Sequence, residues 1–516
     1  MADYGAIVVG GGHNGLICAA YLAKAGVRTL VLERRAIVGG ACVTEEIPGA
    51  PGYRVSTGAA QLGNLPPDMA AELKLTDFGY ALVVPDPLTV FPFPDGRYLA
   101  LWQDPARTKA EFAKFSPGDA EALPGWFADC NAFCDVIEPI LDADAVPSLD
   151  EVESTFAAAG RAGLFRTFML GSMSAALDGR FESDEARAVL GYTGAFGTNA
   201  GPETPGTAYV MAHHMFGATA GMRGRAVYVK GGMGALAEAL SRAAAHFGAE
   251  LRTGAEVARI RVRDGTAHAV ELAGGEIIVA DAIISNADPQ RTFLRMIDGS
   301  ALSTGFRNSL SRIEMQGVAM KVNCALDALP RFTAAPEGET WARVSLCPSP
   351  GYVEAAWADA RAGRPSRHPM MTVHMQSAVD GSLAPEGRHS LTCYAQYFPY
   401  FLDPSLGGWD AQRQAAGDVI LDTVAAYAPD LRDCIVATEA MTPLDIERRF
   451  AMTGGHQFHG DLMPGQILDA RPVPGCSGAR TPLDRLYLCG AGAHPGGCVW
   501  GVPGRRAARA VIADRG

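Results

Sequence analysis

The sequence predicts an α/β fold organised on a parallel sheet, with further strand- and helix-bearing segments attached to it. Three observations carry that expectation. Residues 6–33 read as strand, glycine turn, helix, strand and acid; residues 123–187 are rich in alanine and leucine and mostly helical; residues 486–514 read as strand, glycine turn and helix.

The first stretch is the most informative. Residues 6–9 (AIVV) are continuously apolar, as a strand buried on both faces requires. Gly10, Gly12 and Gly15 then give G-x-G-x-x-G, Leu16, Ala19, Ala20, Leu22 and Ala23 recur at helical spacing, and Gly26 ends the run. A second apolar run, residues 29–32, leads into Glu33. This is a Rossmann-like βαβ unit with its acid about 20 positions downstream. Gly10 makes the tight turn, Gly12 lets the backbone approach a pyrophosphate, and Gly15 lets the helix pack closely on the strand. The helix N-terminus offers N–H groups and a positive dipole end to phosphate. Glu33 can accept from a ribose 2′-OH and would repel a phosphate there, so the unit suits FAD or NAD rather than NADP. A lone G-x-G-x-x-G also fits a glycine turn without a ligand; the register of strand, helix, second strand and acid favours the dinucleotide.

Composition narrows the classes. The 516 residues are too many for one core and suffice for two or three domains. A net charge of −12 argues against non-specific nucleic-acid binding and against a broad basic surface for anionic lipid. The 11 cysteines form no C-x-x-C; Cys130 and Cys134 are four apart, with no second pair or nearby histidine to complete a zinc site, so no metal is expected. Reduced buried thiols in a cytoplasmic protein are the simplest reading. Residue Asp3 before the first strand argues against a signal peptide, and no apolar run approaches the ~18 residues of a spanning helix. Peripheral membrane contact and self-association are both compatible with this composition.

After Glu33, Arg34 or Arg35 can cover an adenosine or a phosphate, and Gly39-Gly40, just before Ala41, form a second glycine pair close to the strand end. Residues 85–100 read as a hairpin turning at Pro94-Asp95-Gly96. In the helical stretch Phe127, Phe133, Ile137 and Leu141 suggest an apolar stripe, as a helical cap over a core, an apolar substrate or a membrane surface would show. His213-His214 do not chelate as an i, i+4 pair would, because adjacent residues on a helix point about 100° apart. One of them can pack and the other can meet a substrate. Residues 235–246 form a helix opened by Gly231-Gly232. Short strands follow at 250–253, 256–263, 267–272 and 276–285. In residues 315–326 Lys321 stands alone in an apolar strand; a buried ammonium needs a partner or a function. Residues 371–376 and 390–397 read as strands of one sheet, and Tyr394, Tyr397, Phe398, Tyr400 and Phe401 are candidates for a cavity wall. At the C-terminal end, strand 486–488 runs into Gly490 and Gly492, then HPGGCVWGVPG and a helix at 505–514.

Residues 10–46, together with HHMFG (213–217), KGGMGALAEAL (230–240), ISNADPQRTF (284–293) and LYLCGAGAHPGG (486–497), resemble the phytoene-desaturase-related FAD oxidoreductases, within the wider group that contains the amine oxidases. HGDLMPGQ (459–466) agrees. The resemblance covers essentially the whole chain. It is closer to the branch containing pyridine nucleotide-disulfide oxidoreductase domain-containing protein 2 than to the carotenoid desaturases, although no C-x-x-x-x-C follows the first βαβ unit. It implies a non-covalent FAD site of the glutathione-reductase/amine-oxidase type, assembled from residues 1–80, 223–295 and 441–516. An inserted α+β substrate domain would take residues 81–222, with the helical cap, and 296–440, with the sheet. By the same resemblance Val257 meets adenine, Gly39, Gly40 and Ala41 meet the pyrophosphate again, and the segment holding Gly490, Gly497 and Val499 brings N–H groups to pyrophosphate and flavin. Lys321 corresponds to the lysine that amine oxidases hold near flavin N5, which makes it the leading catalytic candidate, with His213, His214, His456 and His459 as candidate bases. Cys498 stands where a third glycine is common, and Trp500 either faces the flavin or packs. The implied activity is hydride removal from an apolar organic substrate, with oxygen or a quinone as electron acceptor, because no second nucleotide unit follows. Flavin-dependent cis–trans isomerisation, amine oxidation and a non-catalytic scaffold are the alternatives.

Overall fold

The computed structural model describes residues 2–515. A five-stranded sheet lies at its centre, in the order Leu486–Leu488, Ile283–Ser285, Ala6–Val9, Thr29–Leu32 and Glu250–Arg252, all parallel. Alternate side chains enter two different cores, as the twofold period of a strand dictates. Ala6, Val8, Val31 and Ile284 pack with helices His13–Lys24, Met233–His246 and Val502–Arg515. Ile7, Val9, Leu30, Leu32 and Ile283 pack against an antiparallel meander of Val257–Arg263, Thr266–Leu272 and Ile277–Val279. The unit is therefore a three-layer sandwich of helices, parallel sheet and meander, and its parallel sheet is built on the βαβ stretch at residues 6–33.

One expected strand divides. Residues 276–285 are two strands, Ile277–Val279 in the meander and Ile283–Ser285 in the parallel sheet. Between them the chain leaves one layer for the other, and Asp281 is the charged break between the two apolar runs.

The second sheet has seven strands, in the order Ile435–Met441, Ala319–Leu326, His389–Gln396, Met370–His374, Arg343–Leu346, Thr89–Pro92 and Tyr98–Leu101. The last two are the expected hairpin, closed by the Phe93 N–H to Arg97 O bond. On one face Met320, Val322, Cys393, Val373 and Val344 pack with helix Trp409–Ala425. The opposite face carries Lys321, Tyr394, Thr372, Ser345 and Arg343 toward the first unit.

Helices Pro117–Asp142, Leu149–Ala158, Ala162–Phe165, Met173–Asp178 and Asp184–Gly191 form the cap. Ser116 caps the long helix by accepting from the Asp119 N–H at 3.0 Å, and Ser148 with Glu151 closes a capping box on the next. The buried stripe runs through Trp126, Cys130, Phe133, Ile137 and Leu141. Phe127 is off that stripe and 38% exposed, one residue round from Trp126. Cys130 and Cys134 are packed in the core as thiols. Among the described residues no helix is long and apolar enough to cross a membrane, and no cluster of three His, Cys, Asp or Glu could hold a metal ion.

Candidate functional site

A cavity of about 500 Å³ runs between the two sheets, from the glycine turn at the end of Ala6–Val9 to the polar face of the seven-stranded sheet. Strand ends, glycine turns and one helix N-terminus meet at its first half. Helix His13–Lys24 begins at Gly12, which provides no side-chain cap, so its first-turn N–H groups are left for a ligand. A Cβ on Gly15 would fall 2.3 Å from Gly10 O, so only glycine lets this helix lie against the turn. The Gly39 N–H donates to Gly11 O at 2.7 Å, and Gly39 has φ +121°. The second glycine pair is thereby pressed against the first.

Glu33 is 6% exposed, and its two oxygens accept from the Gly11 and Arg35 N–H groups at 2.9 and 2.8 Å. This fixes the carboxylate at the cavity wall, with its remaining lone pairs available to ribose hydroxyls. Gly10, Gly12, Arg34, Gly40, Ala41, Val257, Gly497 and Val499 border the same space. Arg34 is committed to the carbonyls of Arg448 and Arg449, and Arg35 pairs with Glu45 at 2.5 Å. Gly15, Gly39 and Gly490 do not border the cavity: Gly490 packs against the backbone of Asn286, whose Nδ2 donates to Gly10 O at 3.3 Å. These three glycines shape the wall rather than form it. Buried atoms without protein partners, His13 Nε2 and His459 Nδ1, belong to side chains that border this half of the cavity. Burial pushes both imidazoles down to about 4, so both are neutral. The uncapped helix start, the fixed acid and the orphaned imidazoles fit a dinucleotide.

Lys321 is 2% exposed, and its Nζ donates to Ser56 O and Gly58 O, both at 2.7 Å. Burial pulls its pKa down to about 7, against the partial opposition of Glu439. The neutral amine satisfies both carbonyls with its two N–H groups and keeps a lone pair free to accept a third hydrogen bond. The Ser56–Gly58 turn is thus the seat of the lysine.

The histidines separate. His213 is buried away from the cavity, its Nε2 3.4 Å from Gly497 O and its ring edge-on to Trp500. His214 borders the cavity; its Nδ1 donates to Val210 O at 2.8 Å, which leaves Nε2 as an acceptor, and burial holds its pKa down. His456 is consumed structurally: Nε2 donates to Asp461 Oδ1 at 3.0 Å and Nδ1 accepts from the Phe458 N–H at 3.2 Å. Trp500 packs on Phe216 and His213. Cys498 borders the cavity at φ +77°, with its thiol kept protonated by burial.

Of the five candidate wall aromatics only Tyr394 lines the cavity, stacked 4.4 Å from Phe196 and donating to Gln457 Oε1 at 2.8 Å. Tyr397 donates to Ala200 O, Phe398 faces the outer core, Tyr400 is tied to Glu447, and Phe401 is 70% exposed. All four lie beyond the end of strand His389–Gln396, where its twofold period no longer assigns a face. Sequence reasoning also missed Arg343, Thr372, Asn286 and Arg471. Arg471 is 2% exposed and donates to five carbonyls, including Phe458 O at 2.5 Å and Ala491 O at 2.8 Å. It clamps the 456–466 loop onto the C-terminal glycine segment. It stands between the short helical turn Leu468–Ala470 and the two-residue strand Pro472–Val473, elements too short to carry a periodic signal.

Comparison with known proteins agrees with this geometry. The chain is 36% identical to pyridine nucleotide-disulfide oxidoreductase domain-containing protein 2 of Mus musculus, over 99% of this chain and 94% of that one. It is 28% identical to a limonene dehydrogenase polypeptide of Castellaniella defragrans, again over 99% and 94%. Phytoene desaturases are among the further relatives. Cyclohexylamine oxidase of Brevibacterium oxydans shares the fold, with a TM-score of 0.60, 17% identity and 99% of each chain covered. The family described as flavin containing amine oxidoreductase matches residues 15–319. With the relative at 36% identity over nearly its full length, this establishes that the chain belongs to the flavin containing amine oxidoreductase family.

Proposed function

We propose that this protein is an FAD-dependent dehydrogenase of apolar organic substrates, with the flavin held non-covalently. The observation that carries the reading is the asymmetry of the cavity. Its acidic wall residues, Glu33, Glu256 and Asp288, all follow the ends of the parallel sheet or open the meander. Among the described residues, the half beneath the cap is lined by Phe91, Leu101, Val189, Leu190, Met211 and Met215 and contains no carboxylate. A protonated amine entering there would meet the Arg343 guanidinium with no carboxylate to offset it, which disfavours amine oxidation. The relatives named for limonene and phytoene act on apolar molecules by those names, and that supports the same reading.

Bound flavin supplies hydride acceptance from a C–H bond. The residues of this chain hold and orient. Glu33 and the Gly12 helix start take ribose and pyrophosphate. Apolar cap residues exclude water from the substrate. Lys321, fixed by Ser56 O and Gly58 O, presents its lone pair at the wall, and His214 Nε2 is the neutral acceptor able to receive a proton. The high thiol pKa of Cys498 disfavours a covalent flavin link, since the thiolate is the nucleophile. Oxygen or a quinone is the expected acceptor, since the described residues hold a single five-stranded parallel sheet.

The test is spectroscopic. The purified protein should be yellow and release free FAD on acid precipitation. Anaerobic addition of apolar alkenes should bleach the flavin band, with air or a quinone restoring it. A protein that stays colourless after incubation with FAD, or a flavin bleached by amines alone, would overturn the proposal.

A further inference from the structure

Arg343 brings a guanidinium into the half of the cavity beneath the cap. It sits on the inner face of the seven-stranded sheet, where its Nη1 donates to Gln61 Oε1 and Ala226 O, both at 3.0 Å. Both partners are neutral, and no Asp or Glu forms an ion pair with it among the described residues. The ionisable groups that act on it are the phenols of Tyr228 and Tyr192, both kept protonated by burial, and not a carboxylate. A guanidinium in a half-buried wall without a counter-ion is costly unless something anionic visits it.

Hydroxyls gather beside it. Ser345 lies two residues along the same strand, with its Oγ 3.4 Å from Thr89 Oγ1 and 3.5 Å from Thr372 Oγ1. The Tyr192 hydroxyl bonds to Thr372 in turn. Opposite Arg343, His374 is held neutral by burial and by the nearby Arg343 charge. A fixed fork of N–H donors flanked by rotatable hydroxyls is the donor set a carboxylate takes.

Register sets the distance to Lys321. Lys321 pairs with Tyr394, Tyr394 with Thr372, and Thr372 with Ser345, across four strands. With strands about 4.8 Å apart and one two-residue step to Arg343, the Cα atoms of Lys321 and Arg343 are roughly 16 Å apart. Apolar residues, among them Val189 and Leu190 of the cap and Met215 just after helix Thr207–His213, line the same cavity.

We infer that the substrate is an amphiphilic acid, a carboxylate on an apolar chain or ring, anchored by Arg343 with the hydroxyls of Ser345 and Thr372. This rests on the proposed reading of the same cavity as a substrate chamber. Arg343 is then a specificity-determining residue, distant from Lys321.

Calorimetric titration of the holoprotein tests this without turnover, using decanoate, decan-1-ol and decylammonium. Decanoate should bind at least tenfold more tightly than the alcohol, and decylammonium should bind more weakly than either. Arg343→Met should bring decanoate to the level of the alcohol while leaving alcohol affinity and bound flavin unchanged; Arg343→Lys should retain part of the preference. Equal binding of acid and alcohol by the wild type, or a preference that survives in Arg343→Met, would overturn the inference. Should Arg343→Met fail to fold, the wild-type comparison and Arg343→Lys still decide. The readout is independent of flavin bleaching, so a holoprotein that prefers decanoate but is bleached by amines alone would overturn the dehydrogenase reading and leave the acid site standing.

Discussion

At the scale of single residues, Lys321 is where sequence and structure meet most closely. A lysine alone in MQGVAMKVNCAL demands an explanation, and the explanation is two carbonyls from a turn 265 and 263 residues away. Its pKa near 7 lies below the ordinary lysine value. The unfolded chain therefore binds this proton more tightly over the interval from about 7 to about 10, and folding becomes more favourable as pH rises through it. Measured by denaturant unfolding, the stability of wild type relative to Lys321→Met should increase across that interval, by up to about 1.4 kcal/mol per pH unit. The free lone pair belongs to the neutral amine, so kcat/KM should rise through pH ~7 and lose that inflection in Lys321→Met. A flat stability difference, or an inflection that persists in the variant, would remove Lys321 from this role. Other single residues were illegible for a definite reason. His213 and His214 are equivalent in sequence, and only the backbone direction of helix Thr207–His213 turns one toward Gly497 and leaves the other at the cavity. Arg343 alternates with Val344 and Leu346 like any polar residue on a half-buried strand; the lack of an acid near it is a property of four other chain segments.

At the scale of elements, local patterns were read well wherever one element satisfies its own needs. The strand Ala6–Val9, its glycine turn and helix His13–Lys24 are legible because the acid, the glycines and the apolar runs lie within 28 residues. The hairpin Thr89–Pro92 with Tyr98–Leu101 is legible for the same reason. Elements whose limits depend on distant partners were not. Residues 277–285 hold two strands of different sheets, and Phe127 and Trp126 exchange roles because the cap's aromatic cluster, with Phe133 5.1 Å from Phe168, selects one helix face. The close contact of the first helix with its turn is strict. In Gly15→Ala the new methyl would meet Gly10 O at 2.3 Å, a backbone atom that cannot swing aside. The helix must move outward, away from the strand, carrying its N–H groups from the phosphate position. The expected result is a loss of about 1–3 kcal/mol in stability and protein purified with little flavin. Normal flavin content and melting temperature in Gly15→Ala would show that the turn is looser than the structure describes.

At the scale of the molecule, the chain joins its two sheets four times. It leaves the parallel sheet before Thr89, returns with Met233–His246, leaves again after Ile283–Ser285, and returns for Leu486–Leu488. The last helix adds a tie, with Arg505 2.8 Å from Asp68 and 2.7 Å from Asp142 of the long cap helix. An interleaved chain with shared ion pairs has no linker at which one half could melt alone, so unfolding should be a single transition. That sets the size of the flavin effect. A ligand at a hundredfold excess over its Kd stabilises the native state by about 2.7 kcal/mol. With an unfolding entropy of about 2 cal/mol/K per residue, a cooperative unit as large as this chain should gain only about 2–3 °C in Tm from that binding. Differential scanning calorimetry of the flavin-depleted protein, with and without added FAD, measures it. One endotherm shifting by a few degrees supports a single unit spanning both sheets. A shift of ten degrees or more, or two endotherms of which only one responds, would mean that the parallel-sheet unit folds around its cofactor alone and that the four crossings do not couple it to the chamber beneath the cap.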